Sequence, residues 1–297
     1  MEAADLYDMV AVERVPAIES SPDVFRGLPA AGPYGRVFGG QLVGQAVSAA
    51  TEAVERVAPG RTAHSLHASF LSAGDCEAPI DYDVSVVRDG RSFSVRSVRA
   101  TQGERLLMTA TLSFQLPTVG LENEVALPSG YPDPDSLTGG DGELGAPTPS
   151  GPRPSHRTSV EIRRVPRALD PMSEKVQAGQ AVWLRAAAPR SGVAESVGCA
   201  VLAMAADFTV LESAVKGHGL TFASDGLSVA SLDHSVWWHA PAALDDWVLY
   251  VQENPWSGGE RALITGRIYD RAGRLLASMA QEGLLRVAQP AQAGRAP

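Results

Sequence analysis

The chain repeats itself once. Gly103-Glu104-Arg105-Leu106-Leu107-Met108-Thr109-Ala110 returns as Gly273-Arg274-Leu275-Leu276-Ala277-Ser278-Met279-Ala280 when one gap is allowed, with Arg274 over Arg105 at an offset of 169 residues. His64-Ser65-Leu66-His67-Ala68-Ser69-Phe70 lines up with Ser231-Leu232-Asp233-His234-Ser235-Val236-Trp237, with His234 over His67 at an offset of 167. Solenoid repeats recur at roughly 20–50 residues; two matches at nearly one long offset instead suggest a whole domain copied once. The 297 residues have room for roughly two ordinary domains. A duplicated domain can specialise, one copy keeping the chemistry while the other shapes the site, so the positions where the copies differ carry the functional information.

Each copy shows the same succession of signals. In the first, Phe38-Gly39-Gly40 opens a run over 41–56 in which Leu42, Ala46, Ala49, Ala50 and Val54 recur at helical spacing. Strand-like runs follow at 63–71, 80–88, 93–100 and 106–116, with the turn signals Asp89-Gly90 and Gln102-Gly103 between them. In the second copy the pattern predicts one helix over 193–215, then strands over 227–238, 247–253, 262–270 and 275–287. A long Ala-rich helix wrapped by an antiparallel meander is the hotdog layout, and two copies predict an α+β double hotdog. The predicted repeats are 1–116 and 171–297. The Pro- and Gly-rich stretch 117–170 reads as linker or extended wrapping rather than core, although 159–165 could form one strand.

The net charge of −9 argues against non-specific nucleic-acid binding. A local arginine cluster could still hold a small polyanion, and Arg36, Arg88, Arg91, Arg96, Arg261, Arg267 and Arg286 lie within the copies. No apolar run approaches the ~20 residues of a membrane helix, and Met1-Glu2-Ala3-Ala4-Asp5 lacks the basic start of a secretory signal. Cys76 and Cys199 cannot supply the usual four zinc ligands and are expected as free thiols in a reducing compartment. A cytoplasmic protein without membrane insertion is therefore expected. No P-loop or His-Glu-x-x-His motif occurs, nor any Gly-x-Ser-x-Gly elbow of a serine hydrolase.

Four blocks, in order, carry a resemblance: Gly35-Arg36-Val37-Phe38-Gly39-Gly40-Gln41, Arg88-Asp89-Gly90-Arg91-Ser92-Phe93, Ser231-Leu232-Asp233-His234-Ser235-Val236-Trp237-Trp238-His239 and Ala280-Gln281-Glu282-Gly283. They resemble the acyl-CoA thioesterase II (TesB-like) family of double-hotdog thioesterases. The resemblance implies hydrolysis of fatty acyl-CoA to free acid and CoA, with neither metal nor other cofactor, by a water held between an Asp, a Thr or Ser, and a Gln. In this sequence those positions hold Asp207, Ser231 and Gln281. Ser231 departs from the commoner Thr by one methyl. Gly39, Gly40 and Arg91 are the candidate substrate-binding residues, and a homo-oligomer is expected.

The same residues have readings of their own. Asp207 borders an apolar helical stripe of Cys199, Ala203, Ala206 and Val210; facing the core, its pKa would rise towards that of a general base, whereas rotated to solvent it would be a surface charge. Gln281 shares a strand face with Leu275, Ala277, Met279, Gly283 and Leu285. A buried amide there must find hydrogen bonds, either from a held water or from backbone. Most strand serines are merely small, so Ser231 says least alone. Gly39 and Gly40 precede a helix, where amides favour an anion or a developing oxyanion, or simply allow close packing. By strand alternation His234 should point away from Ser231, Asp233 and Ser235, which excludes a local triad. Subtracting the offsets places Asp207 over Gly40, Ser231 over His64 and Gln281 over Leu112, so one site per chain is expected. Two rival functions stand beside hydrolysis: an enoyl-CoA hydratase-like activity, against which Glu212 stands where a hydratase motif would need His, and a non-catalytic module binding acyl-CoA or acyl carrier protein.

Overall fold

The computed structural model describes residues 5–16, 23–30, 35–137, 159–174 and 178–288. The middle of the expected linker lies outside them. In chain order the elements are α1 (Leu6–Met9), β1 (Val12–Arg14), β2 (Asp23–Gly27), α2 (Gly39–Glu55), β3 (Thr62–Phe70), β4 (Ile80–Asp89), β5 (Phe93–Gln102) and β6 (Arg105–Gln115). The second repeat follows with β7 (Val160–Arg164), β8 (Gly179–Ala186), α3 (Glu195–Ala206), α4 (Val210–Gly217), β9 (Leu227–Ser231), β10 (Asp233–Trp238), β11 (Val248–Gly258), β12 (Arg261–Asp270) and β13 (Leu275–Val287).

One antiparallel sheet runs β1-β2-β4-β5-β6-β3-β10-β13-β12-β11-β8-β7, and β9 pairs with the end of β13. The order is the same read from either edge once the repeats are exchanged, and the seam is the pairing of β3 with β10, His67 opposite Ser235. This is the double hotdog. Each copy also has strands before its helix, β1 and β2 or β7 and β8, which the sequence pattern missed except at 159–165.

The two central helices lie against each other rather than in separate cores. A Cβ on Gly40 would stand 2.5 Å from the carbonyl oxygen of Met204, and one on Gly44 3.0 Å from that of Ala200. The glycines of α2 therefore let its backbone meet that of α3, and a single core spans both repeats.

The second repeat's half of the sheet is covered on both faces. Val182, Leu184, Val248 and Tyr250 face the helices, while Ala181, Trp183, Leu249 and Val251 alternate to the outer side. Leu127, Tyr131 and Leu137 from the expected linker close over that outer side. The Trp183 indole donates to the carbonyl of Pro132 at 3.1 Å, and Arg271 pairs with Asp133 and Asp135. The expectation that this stretch stays out of the core is thus corrected for its described part. It supplies the apolar cover that makes β8 and β11 read as continuous hydrophobic runs instead of alternating ones.

The predicted helix over 193–215 is two helices, broken at Asp207, Phe208 and Thr209. Two buried glutamines hold the break. Gln180 donates to the Thr209 carbonyl at 3.0 Å and to Gln252 at 2.6 Å, and Gln252 donates to the Thr209 hydroxyl at 2.6 Å. Apolar residues flank the break on both sides, 201–206 before it and Val210 and Leu211 after it, which is why periodicity missed it. By length and composition Glu195–Gly217 could cross a membrane, which corrects the expectation that no run approaches that length, but 78% of its most apolar window is buried inside the fold.

Candidate active site

Asp207 is the C-cap of α3, not a member of a helical face. The break turns its carboxylate to the junction of the two repeats, where it is 9% exposed. Gln281, in β13 and fully buried, donates from Nε2 to Asp207 Oδ1 at 2.9 Å and to Ser231 Oγ at 2.8 Å. Ser231, the last residue of β9, donates to the same Oδ1 at 3.4 Å. The three residues named from the sequence therefore form one hydrogen-bonded cluster. Ser231, partly buried, is its most accessible member.

The first repeat completes the site. Backbone hydrogen bonding from Gly40, at the start of α2, reaches the Asp207 carboxylate. A Cβ on Gly39 would stand 3.1 Å from Asp207 Oδ2 and 3.2 Å from the Phe70 ring. The half-buried rings of Phe38 and Phe208 pack with centroids 4.8 Å apart next to the break, and the half-buried Phe70 ring lies with the carboxylate beside Gly39. The arrangement also corrects the repeat comparison. Gly40 is not the counterpart of Asp207; the helices pack so that the start of one meets the end of the other, and the glycine donates to the acid. The Gly40 amide is thereby engaged with Asp207. Arg91 is exposed at the β4–β5 hairpin, and no described hydrogen bond or ion pair joins its guanidinium to the cluster. Gln41 of the Gly-Gly-Gln block is structural: its amide accepts from Ala30 N and donates to the carbonyls of Met9 and Leu28.

Burial raises the pKa of Asp207 above the ordinary carboxylate value because desolvation disfavours the charge. The neighbouring His234 ring, and hydrogen bonds from Gln281, Gly40 and Ser231, pull the other way without reversing it. The carboxylate also stands between the negative end of α3 and the positive start of α2, two dipoles that oppose each other in effect.

His234 is the residue the sequence argument set aside. It is fully buried, and its Nδ1 is hydrogen-bonded to Gln281 Oε1. Alternation fails here because the pairing slips. Ser231 is opposite Gly283, yet Ser235 is opposite Ala280, so four steps on one side match three on the other. This bulge at Leu232 resets the faces and puts Ser231 and His234 on the same side. The triad remains excluded on other grounds, since Ser231 bonds Asp207 and Gln281 and no Ser231–His234 hydrogen bond is described.

Burial also shifts one repeat match by a residue. His67 is exposed and His234 buried, so they cannot be equivalent, because a one-residue slip moves a side chain to the other face of the sheet. Matching inward positions places Leu66 under His234 and Leu112 under Gln281. Leu66 and Leu112 pair directly in the first repeat's half of the sheet, so an apolar pair occupies the place of the polar one, and the expected asymmetry holds at Gln281.

A buried carboxylate of raised pKa, an amide and a hydroxyl on one carboxylate oxygen, and an apolar rim define a double-hotdog thioester hydrolase. Comparison with known proteins gives the family. A family model described as acyl-CoA thioesterase matches residues 157–284, and one described as acyl-CoA thioesterase N-terminal domain matches 28–115. Acyl-coenzyme A thioesterase 8 of Homo sapiens is 35% identical over 280 residues, covering 89% of this chain and 85% of the human one. Acyl-CoA thioesterase 2 of Haemophilus influenzae is 34% identical over 272 residues, covering 90% and 93%. The crystal structure of acyl-CoA thioesterase II TesB2 from Mycobacterium marinum superposes with a TM-score of 0.79 at 32% identity, covering 96% of this chain and 99% of that one. The chain belongs to the acyl-CoA thioesterase II family and is an acyl-CoA thioester hydrolase.

Proposed function

We propose that the enzyme hydrolyses fatty acyl-CoA by direct attack of water on the thioester carbonyl. Asp207 Oδ1 accepts the water proton, Gln281 and Ser231 fix where that water sits, and collapse of the tetrahedral intermediate breaks the C–S bond to release CoA as a thiolate, which takes the proton back from Asp207. The observation that carries this is the convergence of Gln281 Nε2 and Ser231 Oγ on one buried carboxylate oxygen. A raised pKa makes Asp207 a better proton acceptor than a solvated aspartate, since general-base efficiency grows as the pKa approaches the working pH. Phe38, Phe70 and Phe208 give an acyl group apolar surface beside the reacting carbon. An amide at the start of α2 is placed to stabilise the oxyanion if the carbonyl takes over the bond now made to Asp207; such a donor is worth about 3–4 kcal/mol.

Arg91, solvent-facing on the first repeat, is proposed to meet the CoA phosphates. Self-association is proposed as well, supported by the exposed Val86, Val87 and Phe93 around the β4–β5 hairpin. A cytoplasmic setting is proposed from two cysteines that form no disulfide; burial pushes the Cys199 thiol up to about 12. Thiol release measured over saturated acyl-CoAs of increasing length tests the substrate reading: hydrolysis extending to long chains supports it, and a folded protein that turns over only short acyl groups refutes it.

A further inference from the structure

We infer that His234 is a positioning residue for this reaction: its Nδ1–H locks the Gln281 amide in the one orientation that presents Nε2 to Asp207 and Ser231. The inference deepens the proposed mechanism and rests on it. The oxygen and nitrogen of the Gln281 amide can exchange places by a half-turn of the side chain. An ionised Asp207 only accepts hydrogen bonds, so Nε2 must be the atom at 2.9 Å from its Oδ1. Gln281 Oε1 then faces His234 Nδ1, and the imidazole must carry its proton on that nitrogen. A flipped amide would set Oε1 against two oxygens and would require the other tautomer. Amide orientation and histidine tautomer are therefore fixed together.

The rest of the ring's surroundings agree. His234 Nε2 has no hydrogen-bond partner among the described residues, so no carboxylate orients the imidazole from behind, as the base of a catalytic triad would require. Its tautomer is set by Gln281 alone. The first repeat, which has no such cluster, carries Leu66 and Leu112 at the matching pair of inward positions. Histidine and glutamine thus occur together, and only in the copy that holds Asp207.

The test compares His234→Asn, whose side-chain amide nitrogen lies the same number of bonds from the backbone as Nδ1, with His234→Leu, which places at this position the residue the first repeat already carries. Both are assayed for kcat, KM and melting temperature, and His234→Leu is repeated on the Gln281→Ala background. Misplacing a positioned group costs kcat more than binding, so His234→Leu is expected to lose roughly tenfold in kcat with KM nearly unchanged, and His234→Asn to recover most of that loss. On Gln281→Ala the Leu change should add less than about twofold, because residues acting through one contact are not additive. Full kcat in His234→Leu, a folded His234→Asn as slow as the Leu variant, or the same tenfold loss persisting without Gln281 overturns the inference and leaves the hydrolytic reading intact. Should His234→Asn not fold, the cycle with Gln281→Ala decides alone. A fully active Gln281→Ala overturns the cluster itself, and this inference with it.

Discussion

Replacing Gln281 by Glu changes one atom that matters. Nε2, a donor 2.9 Å from Asp207 Oδ1, becomes a carboxylate oxygen in a site where Asp207 is already desolvated. With charge centres about 4 Å apart and an effective dielectric of about 20, two full charges repel by about 4 kcal/mol. At about 1.4 kcal/mol per pH unit, that lifts the proton affinity of the pair by about three units. The pair keeps a proton at neutral pH, and Asp207 is no longer a free base. The expected result is a kcat plateau displaced upwards by up to about three pH units relative to wild type, with kcat near pH 7 lower by ~10²-fold or more. Stability follows with a definite sign. The folded state holds a proton that the unfolded carboxylates have released, so the variant is least handicapped below the ordinary carboxylate pKa and loses stability as pH rises through the raised folded value. The assay is a kcat–pH profile alongside melting temperatures at acidic and mildly alkaline pH. A Gln281→Glu enzyme with the wild-type profile and a pH-independent melting difference would refute the contact and the role given to Asp207.

Asp207→Asn should fold and lose ~10²-fold or more in turnover, the usual size for removing a general base; a folded, fully active variant removes Asp207 from the mechanism. In the wild-type enzyme kcat should fall as pH drops through the raised pKa of Asp207, and a profile flat down to the ordinary carboxylate range contradicts the burial argument. Ser231→Thr should keep much of the activity, because the hydroxyl remains, whereas Ser231→Ala loses one contact of about 1 kcal/mol, read as kcat; equal loss in both variants speaks against the hydroxyl. Leu112→Ala, at the fully buried counterpart of Gln281, should cost about 2–5 kcal/mol in unfolding free energy and leave the kcat of the folded fraction near wild type; lost turnover at normal stability would move the site to the first repeat.

The duplication and both meanders were legible in periodic patterns and short blocks, and Ser231 and Gln281 in the blocks that carry the family resemblance; Asp207 was named by that resemblance alone, since the helical face it was read on ends at the break. What escaped was set by tertiary contacts. The helix break at Asp207 is held by Gln180 and Gln252, which lie 27 and 45 residues from it in sequence, and no local hydropathy signal reveals it. The bulge at Leu232 is a mismatch between two strands and is invisible in either alone; missing it cost the sequence argument His234. The match of His67 to His234 was a chance identity one residue out of register, and only burial exposes it. Gly40 was rightly placed at a helix start, but what that start faces depends on how α2 crosses α3. The cover given to the second repeat's half of the sheet by Leu127, Tyr131 and Leu137 was hidden by the Pro- and Gly-rich composition around them.

Direct attack by water, with no covalent intermediate, is the central claim. It is tested most directly by rapid mixing of enzyme with acyl-CoA, acid quenching on the timescale of one turnover, and mass spectrometry of the protein beside measurement of released thiol. A serine nucleophile would give an acyl-enzyme and a burst of thiol. The account predicts unmodified protein at every time point, with thiol and free acid appearing together. An acyl group on Ser231 that forms and decays at the rate of turnover would contradict it.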